Sequence, residues 1–129
     1  METEPRVPRG PAKGSTVSRD DKVAVVEAFL TCLESKDLAR LPVDPDLSVQ
    51  SPLIPKVSGQ AAMEYVKAVS AAVKAIHVRQ HIVEGDWVAT LFDEETSHGP
   101  LTVFARFQVV SARIRDVSVF YDPRRITGQ

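Results

Sequence analysis

The strongest constraint on the fold is an apolar–polar alternation of period two that begins near residue 75 and continues to about residue 121. Such alternation is typical of β-strands with one buried face. In its first segment Ile76, Val78 and Ile82 alternate with polar side chains. The Glu-Gly-Asp sequence at 84–86 then predicts a tight turn. This part of the chain therefore starts a run of strands joined by short connections.

Three further strands follow, predicted over residues 87–92, 101–110 and 113–121. A polar loop is predicted over 93–99, and the weak turn signal Ser111-Ala112 separates the last two strands. The whole run is predicted to form consecutive antiparallel hairpins.

Two amphipathic helices precede these strands. Ser18 can cap the first helix, whose apolar stripe comprises Val23, Val26, Phe29, Leu30 and Leu33. The second begins near Gly59, with a buried stripe of Ala62, Val66, Val69 and Val73. A short strand over 47–51 lies between them. Helices segregated from a meander of strands predict an α+β domain.

Composition excludes several classes of function. The 129 residues suit one domain, predicted over 18–129, and the proline-rich residues 1–17 are predicted to form a flexible tail. Sixteen basic against 17 acidic residues give a net charge of -1, which argues against nucleic-acid or anionic-membrane partners. No apolar run approaches the length of a membrane span. A single cysteine, Cys32, excludes a disulfide framework, and a cytoplasmic location is expected.

Three stretches of this chain carry a family resemblance: residues 25–38, 99–107 and 113–124. Together with the order of elements, they resemble the nuclear-transport-factor-2-like superfamily, nearest its SnoaL-like branch, over residues 19–126. The resemblance implies a strongly curved sheet wrapped around a long helix, forming a cone. It also implies a pocket for an apolar small molecule inside the cone, no cofactor, and a homodimer formed through the outer sheet face.

The catalytic set of the ketosteroid isomerases in that superfamily is missing. Their mechanism needs a carboxylate base, a tyrosine and a protonated carboxylic acid. By resemblance these positions fall on Ser51, Phe29 and Val103, none of which can supply the required group. Epoxide hydrolases of this fold need two carboxylates with an arginine between them. One position falls on Val119, and only Asp93 could stand in for the other.

Three other residues are candidate acid–base groups: Asp116, His81 and Asp93. The family register turns Asp116 inward with Ser118 and Phe120, although an ion pair with Arg113 or Arg115 is the alternative. His77, Arg79 and His81 share one strand face in a regular strand. We expect that face to point outward, with Ile76, Val78 and Ile82 inside; the opposite orientation would bring His81 into the cone. A metal site is not expected, since the two histidines would stand about 13 Å apart on a strand.

The predicted pocket is mainly apolar. Its candidate ligand-binding residues are Val26, Phe29, Leu33, Tyr65, Val69, Val103, Ala105, Phe107 and Phe120, with Ser51 and Ser118 as polar anchors. Three functions stay open: binding of an apolar ligand without a standard catalytic set, acid–base catalysis by a cyclase, isomerase or hydrolase, and protein interaction by a filled cone. An ionisable group inside an open cavity would separate the second function from the first.

Overall fold

A computed structural model describes residues 18–127 of the chain as two long helices and one six-stranded sheet. The predicted tail, residues 1–17, lies outside the described residues. The helices are α1 (Arg19–Ser35), α2 (Gln60–Ala72) and α3 (Arg124–Thr127), with a 3-10 turn at Leu38–Arg40. The strands are β1 (Val43–Ser51), β2 (Ile54–Ser58), β3 (Val73–Glu84), β4 (Trp87–Thr96), β5 (Gly99–Val110) and β6 (Arg113–Phe120).

The sheet has the strand order β2-β1-β6-β5-β4-β3. Strands β3 to β6 form the predicted antiparallel meander, whereas β1 pairs with β6 in parallel. The sequence does not predict β2, which contains Pro55 and follows Pro52. It forms the edge of the sheet, where a missing backbone donor is tolerated. The predicted α+β class is confirmed.

Helix α1 is fixed at its start by a capping box. Ser18 Oγ accepts a hydrogen bond from the Asp21 backbone N–H at 3.2 Å, and the Asp21 carboxylate accepts one from Ser18 N–H at 3.3 Å. The apolar side of the helix packs on the concave face of the sheet. There the rings of Phe29 and Phe107 meet edge to face, with their centroids 5.7 Å apart. This contact holds the helix inside the curve of the sheet.

Register shifts in the ladder affect which side chains point inward, and two of them lie beside candidate site residues. One residue, Arg79, is extra on β3, because Val78 pairs with Phe92 and Gln80 pairs with Leu91. A second shift, next to Gln108, interrupts the pairing of β5 with β6. Bulges of this kind bend a strand and increase its twist, so they help to curve the sheet.

Strand β4 is longer than the sequence predicts. The expected loop over 93–99 is wrong: β4 pairs with β5 as far as Thr96 and Gly99, which leaves only Ser97 and His98 in the turn. The charged run at 93–95 therefore continues the strand alternation. Asp93 and Glu95 point to the convex face, and Glu94 points to the concave one.

The connection between β5 and β6 is a strained two-residue turn. Ser111 and Ala112 have φ angles of 52° and 62°. Hairpin turns of this length favour positive φ at both central residues, which is why Asn-Gly is their usual sequence. A residue with a Cβ atom is disfavoured in this conformation by about 1–2 kcal/mol.

We predict that Ala112→Gly raises the free energy of unfolding by about 1 kcal/mol, since glycine adopts positive φ without the steric penalty. Urea denaturation followed by circular dichroism measures it. The matched control is Ala28→Gly, at an exposed position within α1, which should lower stability by about 0.5–1 kcal/mol. Equal destabilisation by both substitutions would contradict a strained turn.

Candidate functional site

A cavity of about 230 Å³ lies between α1, α2 and the concave face of the sheet. Its wall is built mainly from aliphatic and aromatic side chains of α1, α2, β4, β5 and β6. Seven of the predicted ligand-binding residues line it: Phe29, Leu33, Tyr65, Val69, Val103, Ala105 and Phe107. The remaining four candidates, Val26, Ser51, Ser118 and Phe120, do not line the cavity.

Two of those candidates are close to the cavity but do not line it. Val26 is 0% exposed and packs in the core of the domain. Ser51, at the end of β1, is a neighbour of the Tyr65 hydroxyl. Both therefore support the wall.

The most unusual group in the cavity is Glu94. Its side chain belongs to the lining, the residue is only 7% exposed, and burial raises its pKa from 4.5 to about 7. Within residues 18–127 its carboxyl group has no hydrogen-bond or ion-pair partner. A buried polar group without a partner is costly, and in a cleft it marks a candidate functional site.

Sequence reasoning selected Asp93 from the charged run and not Glu94, although a signal for Glu94 was present. Val88, Thr90 and Phe92 are buried at every second position of β4, and Glu94 continues the series. Interpretation of the charged run as a solvated loop ended the predicted strand at Phe92, four residues before β4 ends at Thr96. Extension of the alternation would have predicted a carboxyl group inside the cone.

A second polar group is formed by hydroxyls. Tyr65 of α2 and Tyr121, just after β6, both line the cavity. Burial is the main reason that the pKa of Tyr65 is raised to about 12, and the nearby side chains of Ser51, Tyr121 and Glu94 also act on it. Thr96 and His98 add two further polar residues to the lining.

The expectation that Asp116, Ser118 and Phe120 face inward is wrong. Directly paired antiparallel residues point to the same side of a sheet. On β6 the residues paired with inward-facing Ala105 and Phe107 are Val119 and Val117, so the alternate positions face outward. The register shift beside Gln108, which the sequence does not signal, lies next to this segment.

Asp116 has structural partners on the outer side. Its carboxylate accepts a hydrogen bond from Ser48 Oγ and lies 3.2 Å from Lys56 Nζ. These contacts tie β1 and β2 to β6. The predicted ion pairs with Arg113 or Arg115 are not among them, and Asp116 does not line the cavity.

His81 lies on the concave side, contrary to the orientation we favoured from sequence, because the bulge at Arg79 reverses the alternation of β3. It pairs with inward-facing Thr90, while Ile82 is exposed. Its Nδ1 lies 2.8 Å from Thr90 Oγ1, and its Nε2 lies 2.9 Å from a carboxylate oxygen of Glu27 on α1.

This hydroxyl–imidazole–carboxylate chain has the order of a catalytic triad. However, Thr90 is 0% exposed, and neither it nor His81 lines the cavity. A substrate cannot reach the hydroxyl, so the chain joins α1 to the sheet.

Asp93 is one residue away from Glu94 but faces the opposite side. Its Oδ1 accepts a hydrogen bond from Thr102 Oγ1 at 2.9 Å and lies 3.4 Å from Arg79 Nη1. It is therefore a partnered carboxylate of the convex face.

The described residues contain neither a metal centre nor a membrane-spanning helix. No group of three His, Cys, Asp or Glu side chains between residues 18 and 127 is placed to hold a metal ion. Within the same range, no helix combines the length and apolar character that crossing a membrane requires.

Sequence comparison finds no relative: no protein-family model matches the chain, and no curated protein matches it significantly. Comparison with solved structures does find similar proteins. An NTF2-like protein of unknown function from Cytophaga hutchinsonii superposes with a TM-score of 0.72 at 14% identity, covering 89% of this chain and 99% of that one. An LEH-like epoxide hydrolase from M. tuberculosis gives 0.67 at 17% identity, over 84% and 88%.

A de novo designed protein with a curved β-sheet is also similar, with a TM-score of 0.73 and 19% identity over 83% of this chain and 89% of that one. At such low identities the likeness concerns the fold alone. The chain has the nuclear-transport-factor-2-like fold, as the resemblance implied.

We predict that Glu94 makes stability fall with rising pH. The folded state holds the carboxyl proton more tightly than the unfolded state, so its stabilising contribution is complete below about pH 4.5 and is lost as the pH rises through about 7. The loss is about 3 kcal/mol, since each tenfold change in a protonation equilibrium corresponds to about 1.4 kcal/mol.

Urea unfolding of the wild type and of Glu94→Gln between pH 4.5 and 8.5 measures this contribution as the difference between two profiles. Glu64→Gln is the control, because Glu64 is an exposed carboxylate of α2 that pairs with no histidine among the described residues. The control should keep the wild-type slope. Parallel profiles for wild type and Glu94→Gln would show that the carboxyl group is not desolvated.

Proposed function

We propose that this protein is a cofactor-independent acid–base enzyme that acts on an apolar small molecule inside the cone, with Glu94 as the proton-transferring group. The observation that carries the proposal is a carboxyl group in the wall of an apolar cavity, with a pKa of about 7 and no hydrogen-bond or ion-pair partner among residues 18–127. A general acid or base is most effective when its pKa lies near the working pH. The missing partner leaves the carboxyl group available to a substrate.

Proton transfer next to a carbonyl group is the reaction type that this set favours. The Glu94 carboxylate takes a proton from a C–H bond, whose electron pair then moves into the carbonyl group to give an enolate. The same carboxyl group returns the proton to another atom, which completes an isomerisation without a cofactor. This chemistry needs one base of matched pKa and a donor near the oxygen.

A hydrolase of the epoxide-opening type is less well supported. Similarity to the epoxide hydrolase extends to the fold, but the chemistry needs two carboxylates and an arginine around a water molecule. Glu94 is the single carboxylate among the described residues that line the cavity, and no arginine lines it. The pair Asp93 and Arg79, which could have supplied both groups, faces the other side of the sheet.

Simple ligand binding is the second candidate function, and the unfilled cavity favours it over a filled interaction module. The two candidates differ in whether Glu94 moves a proton. In either case we propose a cytoplasmic location, for which a single, buried and reduced cysteine, Cys32, is suitable.

We predict that the protein accelerates exchange of the acidic C–H protons of 2-tetralone, a neutral bicyclic ketone, in deuterated buffer. Glu94→Gln should reduce this acceleration by about 10²–10⁴-fold, the usual contribution of general acid–base catalysis. Proton NMR of the ketone measures the rate. Asp93→Asn, one residue away on the opposite face, should exchange at the wild-type rate.

Two outcomes would argue against catalysis by Glu94. Equal exchange by wild type and Glu94→Gln would remove it from the reaction. Saturable binding of the ketone without any exchange above the buffer rate would favour the ligand-binding function.

We also propose that the convex sheet face pairs with a second copy of the chain. Phe104 and Phe120 are cross-strand neighbours there and are 42% and 50% exposed. Leu91 extends the same apolar row on β4. Arg106 stacks on Trp87 at 4.2 Å on this face, close enough to shield the indole ring. Exposed aromatic pairs on a sheet are typical of association surfaces.

The prediction is that the protein is a dimer in solution and that Phe104→Lys combined with Phe120→Lys makes it a monomer, since like charges would face each other across a two-fold interface. Sedimentation velocity measures the mass. The control is Ala24→Lys with Ala28→Lys, which adds two positive charges at exposed positions of α1, away from the convex face. A wild-type monomer at 100 µM would contradict the proposed interface.

A further inference from the structure

The cavity wall provides a negative charge without a positive one. Glu94 is 7% exposed, and its carboxyl group has no hydrogen-bond or ion-pair partner within residues 18–127. Its partners across the sheet are apolar, because it pairs with Ile76 on β3 and with Leu101 on β5. No lysine or arginine is present among the described residues that line the cavity. When Glu94 ionises, the matching positive charge has to come from a ligand.

A lysine close to the cavity is already engaged elsewhere. Lys36 directly follows α1, and its ammonium group donates hydrogen bonds to the backbone carbonyl oxygens of Ser70 and Val73 at the end of α2. These bonds cap the helix at the end where its dipole favours positive charge. Val73 belongs to the cavity lining, but Lys36 does not. Its charge is therefore used by α2 and not by Glu94.

Aromatic rings are a second feature of the wall that suits a cation. Five of them line the cavity, those of Phe29, Tyr65, Phe92, Phe107 and Tyr121. The face of an aromatic ring attracts an ammonium group, most strongly where water is excluded. Phe92 is two positions before Glu94 on the buried face of β4, so a ring and the carboxyl group are about 7 Å apart along the strand. A cation beside Glu94 would therefore meet both.

The size and the remaining wall of the cavity define the rest of the ligand. The volume of about 230 Å³ is below the range of about 300–1,000 Å³ that is usual for drug-sized ligands. Most of the other lining side chains are aliphatic. A hydrocarbon body of one or two fused rings with a single amino group matches this size, this apolar surface and the single carboxylate.

We propose that the cavity binds small apolar amines as ammonium ions, with the Glu94 carboxylate as their counter-ion and hydrogen-bond acceptor. The ammonium N–H group donates to the carboxylate, and the aromatic and aliphatic wall encloses the hydrocarbon body. This inference goes beyond the proposed function, because it needs the charge of Glu94 and no transfer of a proton to or from carbon.

Three tetralin probes of similar shape test the inference by equilibrium dialysis with the full-length chain at pH 8.0. They are 2-aminotetralin, which is a cation, 2-methyltetralin, which is neutral, and tetralin-2-carboxylate, which is an anion. We expect the amine to bind about 10–100-fold more tightly than the hydrocarbon, the range of a hydrogen bond to a charged group. The anion should bind at least tenfold more weakly than the hydrocarbon, because Glu94 repels it and no cation replaces its hydration.

The variants are compared by the ratio of the hydrocarbon and amine dissociation constants, which a general loss of packing would not change. Glu94→Gln should bring this ratio to about one and leave the affinity for 2-methyltetralin within twofold. Glu95→Gln is the matched control, because it removes the neighbouring carboxylate on the exposed convex face. It should keep the wild-type ratio.

A pH series on the wild type provides a readout that needs no substitution. With a pKa of about 7, Glu94 is mostly ionised at pH 8.0 and mostly protonated at pH 5.5, whereas the amine stays charged throughout. The ratio should therefore fall at least about fivefold between these two values. Tyr65 and Tyr121 carry no charge in this range, and α1 contributes only apolar side chains to the lining. His98→Gln tests the one imidazole among the described lining residues and should show the same fall.

The location of the bound amine is checked with a second matched pair. Ala105→Leu narrows the cavity and should abolish binding of the amine and the hydrocarbon, whereas Ala89→Leu, on the outer face of the neighbouring strand, should not. Amine binding that survives Ala105→Leu would place the amine outside the cavity and overturn the inference.

The outcomes separate this inference from the proposed function. Equal affinity of the wild type for amine and hydrocarbon, a ratio unchanged in Glu94→Gln, or a pH dependence that disappears in His98→Gln would overturn the role of Glu94 as counter-ion. Exchange of 2-tetralone that depends on Glu94 would in that case leave the proposed enzyme intact. Conversely, a Glu94-dependent preference for the amine without ketone exchange would support the amine site and overturn the enzyme.

Discussion

The structure depends on the two-residue alternation of β4 and β5, which pair without a break from Trp87 and Gln108 to Thr96 and Gly99. Because a strand sends successive side chains to opposite faces, this register fixes which residues enter the cone. A slip of one residue would expose the apolar side chains of the cavity wall. It would also bury charged side chains of the convex face, such as Asp93 and Glu95. The same constraint carries Glu94 inward, since it is two positions beyond Phe92 on the buried face.

Burial of Glu94 is energetically unfavourable once the carboxyl group ionises, and no described side chain offsets it. A domain of this size has a total stability of about 5–15 kcal/mol, so a penalty near 3 kcal/mol is a substantial part of it. The rest of the cone can carry that penalty because its helices and strands meet in one continuous apolar core. We therefore propose that a bound substrate relieves the unfavourable burial of the Glu94 carboxylate.

Sequence patterns predicted the elements better than the site. Periodicity and capping residues predicted α1, α2 and the meander, and resemblance implied the curved sheet. The site was harder to predict because a bulge reverses the face of the sheet to which the following side chains point. Bulges have no clear signal in a single sequence. The bulge at Arg79 moved His81 inward, and the β6 register left Asp116 outside. Glu94 was not selected for a different reason. Consecutive charged residues usually indicate a solvated loop, but here the pairing of β4 with β5 keeps them in a strand.

The central claim is that a carboxyl group inside the cone is close to half-protonated at neutral pH. The most direct measurement is a carbon-13 NMR titration of the Glu94 side-chain carboxyl, assigned by comparison with Glu94→Gln. We expect a midpoint near pH 7, well above the ordinary glutamate value of 4.5. A midpoint at the ordinary value would mean that water solvates Glu94, and it would contradict both the burial of this side chain and its assignment as the acid–base group.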